Sequence, residues 1–297
     1  MAYTSGKCAV VTGAGSGIGR ALALQFNREG CALYLSDINA QTLEETAALL
    51  ERQDVACHTQ TLDVADPEAV EAWAQQVATD RGQVDIVINN AGVGLVGTVE
   101  ENSYEDIQWL MGINFGGVVH GTRAFLPLLR QSSQGHIVNI SSIFGMISAP
   151  TQSAYNAAKF AVRGYTESLR LEMEDSNVHV CCVHPGGIST SIARDSRGGD
   201  ASPQERDEQF QAMTRTTAES AAAQIIRAIE KRKKRLLIGP DARYVALTTW
   251  LAPHTSGPVI TRPSTSSSGC SRIEFPEETA PQRKAHIGGN QVMGFNN

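Results

Sequence analysis

Short apolar runs rich in β-branched residues recur along the chain, and longer stretches whose apolar positions repeat every three to four residues lie between most of them. Residues 8–12, 32–36, 56–62, 84–89, 135–140, 178–183 and 236–238 are predicted as strands, and residues 17–29, 40–52, 67–81, 104–129, 154–173 and 218–231 as helices. Strands that are apolar throughout suit a sheet buried on both faces, and their alternation with helices predicts an α/β fold: a doubly wound parallel sheet of about seven strands. Asp66 before Pro67, and Thr217 before Ala218, are expected to cap their helices. No internal repeat is evident, so residues 1–253 are read as one domain. Serine, threonine, proline and glycine dominate from Thr255 to Ser271, and residues 254–297 are expected to form a loosely ordered tail. A tail that covers a pocket or a neighbouring subunit stays open as the alternative.

The first strand runs into Thr12-Gly13-Ala14-Gly15-Ser16-Gly17-Ile18-Gly19 and then a helix. Glycines there permit a tight turn, let the main chain approach a pyrophosphate, and let helix and strand pack closely. The helix N-terminus adds unpaired N–H groups and the positive end of its dipole. The spacing is Gly-x-x-x-Gly-x-Gly (Gly13, Gly17, Gly19), not the Gly-x-Gly-x-x-Gly of other dinucleotide folds. Asp37 closes the second strand, where a carboxylate accepts hydrogen bonds from ribose hydroxyls and repels a 2′-phosphate. NAD is therefore expected over NADP, although Arg20 and Arg28 are near enough in sequence to keep NADP in view. Asp37 could also be a turn or capping aspartate ahead of Asn39.

Composition narrows the partners. The 297 residues carry a net charge of −6, 41% hydrophobic residues and a pI near 5.7, so no basic field awaits nucleic acid. The one basic run, Lys231 to Arg235, reads as the cationic end of a helix. Six cysteines (Cys8, Cys31, Cys57, Cys181, Cys182, Cys270) lack zinc-site spacing, so no metal is expected and they read as small buried residues of a reducing compartment. No signal peptide and no run of ~20 apolar residues is visible. A cytoplasmic protein without a membrane span is expected.

Tyr155 and Lys159 lie four apart in a predicted helix, on one face, with Ser141 and Ser142 shortly upstream. A phenol titrating near ~10 is a poor base at neutral pH, and a cation one turn away would stabilise the phenolate. Tyr-x-x-x-Lys alone is common in helical proteins, so the other motifs decide.

Taken together, Thr12-Gly-x-x-x-Gly-x-Gly19, Asp63-Val64, Asn89-Asn90-Ala91-Gly92, Asn114, Ser142, Tyr155-x-x-x-Lys159 and Pro185-Gly186 resemble the short-chain dehydrogenases/reductases, in the subgroup of single Rossmann domains. The match covers about residues 7–240. The resemblance implies a catalytic set of Asn114, Ser142, Tyr155 and Lys159. It implies cofactor contacts from Gly13, Ser16, Gly17, Ile18, Gly19 and Asp37, from Asp63 and Val64 beside the adenine, from Asn90, Ala91 and Gly92, from Tyr155 and Lys159, and from Pro185, Gly186, Ile188 and Thr190 toward the nicotinamide. Asn114 is expected to interrupt its helix and hold a water of a proton relay. Ser141 is read as structural and His184 as a packing residue.

The implied activity is hydride transfer between a secondary alcohol or ketone and NAD(P), with NAD(H) preferred. An NADPH-dependent carbonyl reductase is the nearest rival. A non-catalytic NAD-binding protein, or a dehydratase or epimerase of the longer-chain class, fits less well. The candidate walls, residues 94–97, 143–147, Pro150 and the segment after Gly187, are mostly apolar and favour an uncharged or hydrophobic substrate. Residues 187–215 read as the substrate loop, with 194–204 either mobile or an ordinary surface loop. The resemblance implies a homodimer or homotetramer built through the helices at 104–129 and 154–173.

Overall fold

The protein is described by a computed structural model covering residues 2–251. Its strands are β1 (Cys8–Thr12), β2 (Ala32–Asp37), β3 (Cys57–Thr61), β4 (Ile86–Asn89), β5 (Gly135–Ile140), β6 (Val178–Pro185), β7 (Ile188–Ser189), β8 (Thr216–Thr217) and β9 (Arg235–Ile238). The helices are α1 (Gly17–Arg28), α2 (Ala40–Ala48), α3 (Pro67–Arg81), α4 (Tyr104–Met111), α5 (Gly117–Leu129), α6 (Ser153–Glu172), α7 (Pro203–Met213), α8 (Ala218–Glu230) and α9 (Pro240–Leu251).

Seven strands form one sheet in the order β3-β2-β1-β4-β5-β6-β9, parallel at every pairing, and β7 and β8 form a separate short ladder. The doubly wound parallel sheet expected from the sequence is the fold observed. The strand order reverses between β1 and β4, which opens a crevice beyond their carboxyl ends, where sheets of this kind bind ligands.

Alternation along each strand divides the core in two. From β1, Ala9 and Val11 join Leu22 and Phe26 of α1 and Ile225 and Ile229 of α8 on one face. Cys8 and Val10 join Trp73 and Val77 of α3, Phe125 of α5 and Leu169 of α6 on the other. The Trp73 and Phe125 rings meet edge to face with centroids 5.1 Å apart.

Both predicted caps are present. The Asp66 carboxylate accepts from the Glu68 and Ala69 amides, with Pro67 in the first turn, and the Thr217 hydroxyl accepts from the Ser220 amide. Several elements differ from the sequence expectation, and the short strands β7 and β8 have no counterpart in it. The helix expected over 40–52 ends at Ala48. The helix expected over 104–129 is two helices separated by a π-helical turn at Gly112–Gly116, a stretch where glycines weaken the regular ladder. Helix α7 occupies the segment read as a loop and opens with a complete capping box between Ser202 and Glu205 behind Pro203. Helix α9 follows Gly239-Pro240 and has no counterpart among the expected elements. Residues 252–297, including the expected tail, lie outside the described residues. Among the described residues, no helix is long and apolar enough to cross a membrane.

Phe125 is fully buried on the α3/α5 face of the sheet, and truncating a phenylalanine there leaves a cavity that the parallel strands cannot close. Phe125→Ala is expected to cost about 3–5 kcal/mol of unfolding free energy, measured by urea denaturation.

Candidate active site

The crevice is built first by a lock between two strand ends. The Thr12 hydroxyl accepts from the Asn90 amide at 3.0 Å and the Ala91 amide at 3.1 Å, while Asn90 Nδ2 donates to the carbonyls of Thr12 at 3.0 Å and Gly13 at 3.1 Å. Asn90 therefore spends its side-chain donors on shaping the glycine loop. A Cβ at Gly13 would lie 2.8 Å from Ala91 Cα, and one at Gly19 would lie 2.0 Å from the Gly13 carbonyl oxygen, so the loop closes only with glycine at both positions. Ser16 precedes α1 with extended backbone, its side chain makes no capping bond, and the first turn carries no acidic residue. The N–H groups of Gly17, Ile18 and Gly19 thus stand at an uncapped positive helix end.

Asp37 lies against this loop. Its Oδ2 accepts from the Gly15 amide at 2.8 Å and its Oδ1 from the Asn39 amide at 3.0 Å. Arg20, a candidate partner for an extra phosphate, is already engaged at the edge of this loop: it donates to the Gly15 and Thr42 carbonyls, the Thr46 hydroxyl and Glu45, with which it is ion-paired at 3.1 Å. Arg28 is paired with Glu51 at 2.7 Å. Farther along the sheet, Asp63 is exposed and caps the Ala65 amide, whereas Val64 is buried, with its side chain against Gly117 and its carbonyl bonded to His120.

Two polar side chains converge on Gly92, and the others follow from them. A Cβ at Gly92 would meet Asn114 Oδ1 at 3.2 Å and Lys159 Nζ at 3.4 Å. Asn114 sits inside the π turn, fully buried, and its amide makes a two-point bond to the main chain of Val93 at 2.8 and 2.9 Å. Lys159 is buried on α6, donates to the Ile140 carbonyl at 3.2 Å, and holds its ammonium 5.6 Å from the centre of the Tyr155 ring. Ser142 caps a short 3-10 turn beyond β5, accepting from the Phe144 amide at 3.1 Å. The neighbouring Ser141 turns away and donates to the Lys159 carbonyl at 2.8 Å, which ties β5 to the middle of α6.

Burial dominates the protonation of this group. Tyr155 keeps partial exposure as a residue, yet burial of its hydroxyl pushes the phenol up to about 12, and the hydrogen bond with Ser142 offsets only part of that rise. Burial pushes Lys159 down to about 8. The Lys159 ammonium is turned to the Ile140 carbonyl in this geometry, and desolvation is the largest influence on the phenol. His184 is also pushed down, to about 4, by burial; its Nδ1 bonds the Ser142 carbonyl at 3.0 Å and its Nε2 is buried without a partner. It packs beneath the site as a neutral ring.

At the end of β6, Pro185 pairs with Ile238 of β9; beyond it Ile188 is buried in β7, and the Thr190 methyl lies where a Cβ at Gly17 would come within 3.0 Å of it. The chain just after β7 thus lies against the glycine loop. The segment read as a substrate loop is bonded to the stretch after β4: the Arg197 amide donates to the Gly94 carbonyl at 3.0 Å, the Val96 amide donates to the Arg197 carbonyl at 2.9 Å, and Arg197 lies over the Trp109 ring while ion-paired with Asp106.

The short chain dehydrogenase family profile matches residues 7–201. The chain belongs to the short-chain dehydrogenase family. SadH of Mycobacterium tuberculosis, a putative oxidoreductase by its description, is 45% identical over 249 residues, which span 82% of this chain and 90% of SadH. A short chain dehydrogenase/reductase from Burkholderia phymatum, solved in complex with NAD, superposes with a TM-score of 0.77 at 32% identity, covering 84% of this chain and 95% of that one. An alcohol dehydrogenase from Thermococcus sibiricus, complexed with 5-hydroxy-NADP, superposes with a TM-score of 0.68 at 26% identity, covering 78% and 95%. Relatives of this dehydrogenase therefore bind either nucleotide.

The residues of this short-chain dehydrogenase fit a dinucleotide. A Cβ at Gly13 or Gly19 would break the packing that shapes the glycine loop, and the uncapped N-terminus of α1 and the Asp37 carboxylate lie against the same loop. Sequence reasoning misses three supporting residues. Thr12 is legible only as part of a motif, Arg20 as a stray cation, and Asp241 not at all, because its partner Gly187 is 54 positions earlier.

A methyl group at Gly19 would collide with the Gly13 carbonyl, so, in thermal-shift titrations with NADH and NADPH, Gly19→Ala is expected to lose whichever shift the native protein shows. Lys159 sets a second expectation. Its folded value of about 8 lies below its unfolded value of 10.5, so over that window the unfolded chain binds the extra proton and stability from this group rises with pH. The Tm difference between native protein and Lys159→Met is expected to move in the native protein's favour between about pH 8 and about pH 10.

Proposed function

We propose that this short-chain dehydrogenase transfers a hydride between an uncharged secondary alcohol or ketone and NAD(H). The observation that carries this reading is the meeting of Asn114 and Lys159 at Gly92, with Tyr155 one turn from the lysine and Ser142 bonded to its phenol, at the mouth of a glycine cradle edged by Asp37. Nicotinamide, when bound, supplies the hydride acceptor or donor. Every other step belongs to the chain.

In the reduction direction the phenol of Tyr155, protonated at neutral pH, donates to the carbonyl oxygen as it gains charge. The Ser142 hydroxyl orients that oxygen and stabilises the developing oxyanion. In the oxidation direction Tyr155 takes the alcohol proton, and Lys159, buried and held one turn away, stabilises the phenolate that precedes it. Asn114 fixes the main chain of Val93 and, through the interrupted helix, holds the proton path beside the lysine. Asp37 favours NAD, since its carboxylate would bond ribose hydroxyls and repel a 2′-phosphate, and the occupation of Arg20 and Arg28 by Glu45 and Glu51 supports the same choice. The apolar side chains around the mouth, among them Val93, Leu95, Ile143 and Phe144, whose ring meets Tyr155 edge-on, favour an uncharged substrate. A homodimer or homotetramer is the assembly we expect, and sedimentation tests it.

Tyr155→Phe is expected to lower kcat by about 10²–10⁴ with the NADH Kd unchanged, read from absorbance at the reduced cofactor's band across a panel of secondary alcohols and ketones. Near-native turnover would sink the role given to Tyr155. In the same assay kcat/KM is expected to be higher with NAD than with NADP; the reverse order would leave Asp37 misread.

A further inference from the structure

The family profile ends at Ala201, yet the turn reaching toward the nicotinamide side is fastened by a residue well beyond it. Asp241, in the first turn of α9, accepts from the Gly187 amide through Oδ2 at 2.6 Å. The fit around its carboxylate is close on two sides. A Cβ at Gly186 would lie 2.0 Å from Oδ2 and 2.1 Å from Oδ1, and one at Gly239, whose φ is +100, would lie 2.3 Å from Oδ1. Side chains at either position would evict the carboxylate. The Gly186 amide is already bonded to the Ile238 carbonyl at 2.9 Å as a continuation of the β6/β9 ladder, so Asp241 fastens the next amide, where the ladder stops.

Downstream of that bond the chain goes directly to β7 and Thr190, whose methyl rests against the glycine loop, while the Gln211 amide holds the Thr190 carbonyl at 3.2 Å. The turn is therefore suspended between Asp241 on one side and Gly17 on the other. We propose that Asp241 is a positioning residue for the nicotinamide half of the cofactor: it sets the Pro185–Gly187 turn without touching the adenosine half. This rests on the dinucleotide reading above. A charge-assisted bond from a carboxylate to one amide is among the stronger hydrogen bonds, and its loss frees the turn at the point where it leaves the sheet.

The test separates the two halves of the cofactor. NADH and ADP-ribose are titrated by fluorescence and competition against the native full chain and against Asp241→Ala, Asp241→Asn and Gly186→Ala, with Tm, KM and kcat measured alongside. Asp241→Ala is expected to weaken NADH binding and lower kcat by about tenfold or more, the factor corresponding to one lost charge-assisted hydrogen bond, with ADP-ribose affinity within about twofold of native. Asp241→Asn keeps an oxygen acceptor for the Gly187 amide and is expected to recover most of the loss. Gly186→Ala, which drives a methyl into the carboxylate, is expected to reproduce the Asp241→Ala profile, and it carries the test if Asp241→Ala does not fold. Equal losses for NADH and ADP-ribose, or NADH affinity and kcat within about twofold of native in the folded variants, would overturn the proposal while leaving the dinucleotide reading intact. A native chain that binds neither NADH nor ADP-ribose would overturn that reading and this inference together.

Discussion

The site depends on the bond network that ties Thr12 to Asn90. Two neighbouring parallel strands end at the same level, and their last residues must satisfy amides and carbonyls that no further ladder can reach. Thr12 and Asn90 satisfy one another's main chain through their side chains. That exchange fixes the height at which the glycine loop leaves β1 and the direction in which residues 91–93 leave β4. Gly92 then passes between Asn114 and Lys159, and the rest of the polar group is assembled against it.

Around this frame, packing decides charge. Ser142, Tyr155, Lys159 and His184 lie within one closely packed region where desolvation is the largest influence on each titrating member, raising the phenol and lowering the two bases. The outcome is a set of groups whose protonation is governed by burial. The helix that carries Tyr155 and Lys159 is tied to β5 twice, by Ser141 through the Lys159 carbonyl and by the Lys159 ammonium through the Ile140 carbonyl.

Much of this was legible in the sequence, because the signals are local. Strand composition, the glycine loop, the Asp66 and Thr217 caps and the four-residue spacing of Tyr155 and Lys159 all act within a few residues. What escaped is long-range or irregular. A single helical period cannot describe 104–129, because the π turn inserts a residue and rotates α5 relative to α4. Helix α7 has no buried residue, so its capping box was its only strong signal. The fate of Arg20 and Arg28 was fixed by Glu45 and Glu51, more than twenty positions away, and the protonation of Tyr155 by the depth of its pocket, which no spacing rule records.

The bond from Gly187 to Asp241 also has a temporal meaning. The chain is made from its N-terminus, so the glycine loop, Asp37, Asn114, Ser142 and the Tyr155–Lys159 helix can all assemble before β9 and α9 exist. The turn after β6 has to wait for 54 further positions before its amide finds a carboxylate. An incompletely made chain would thus hold Asn114, Ser142, Tyr155 and Lys159 while lacking the fastened turn, and the helix that follows the last strand of the sheet is what completes it.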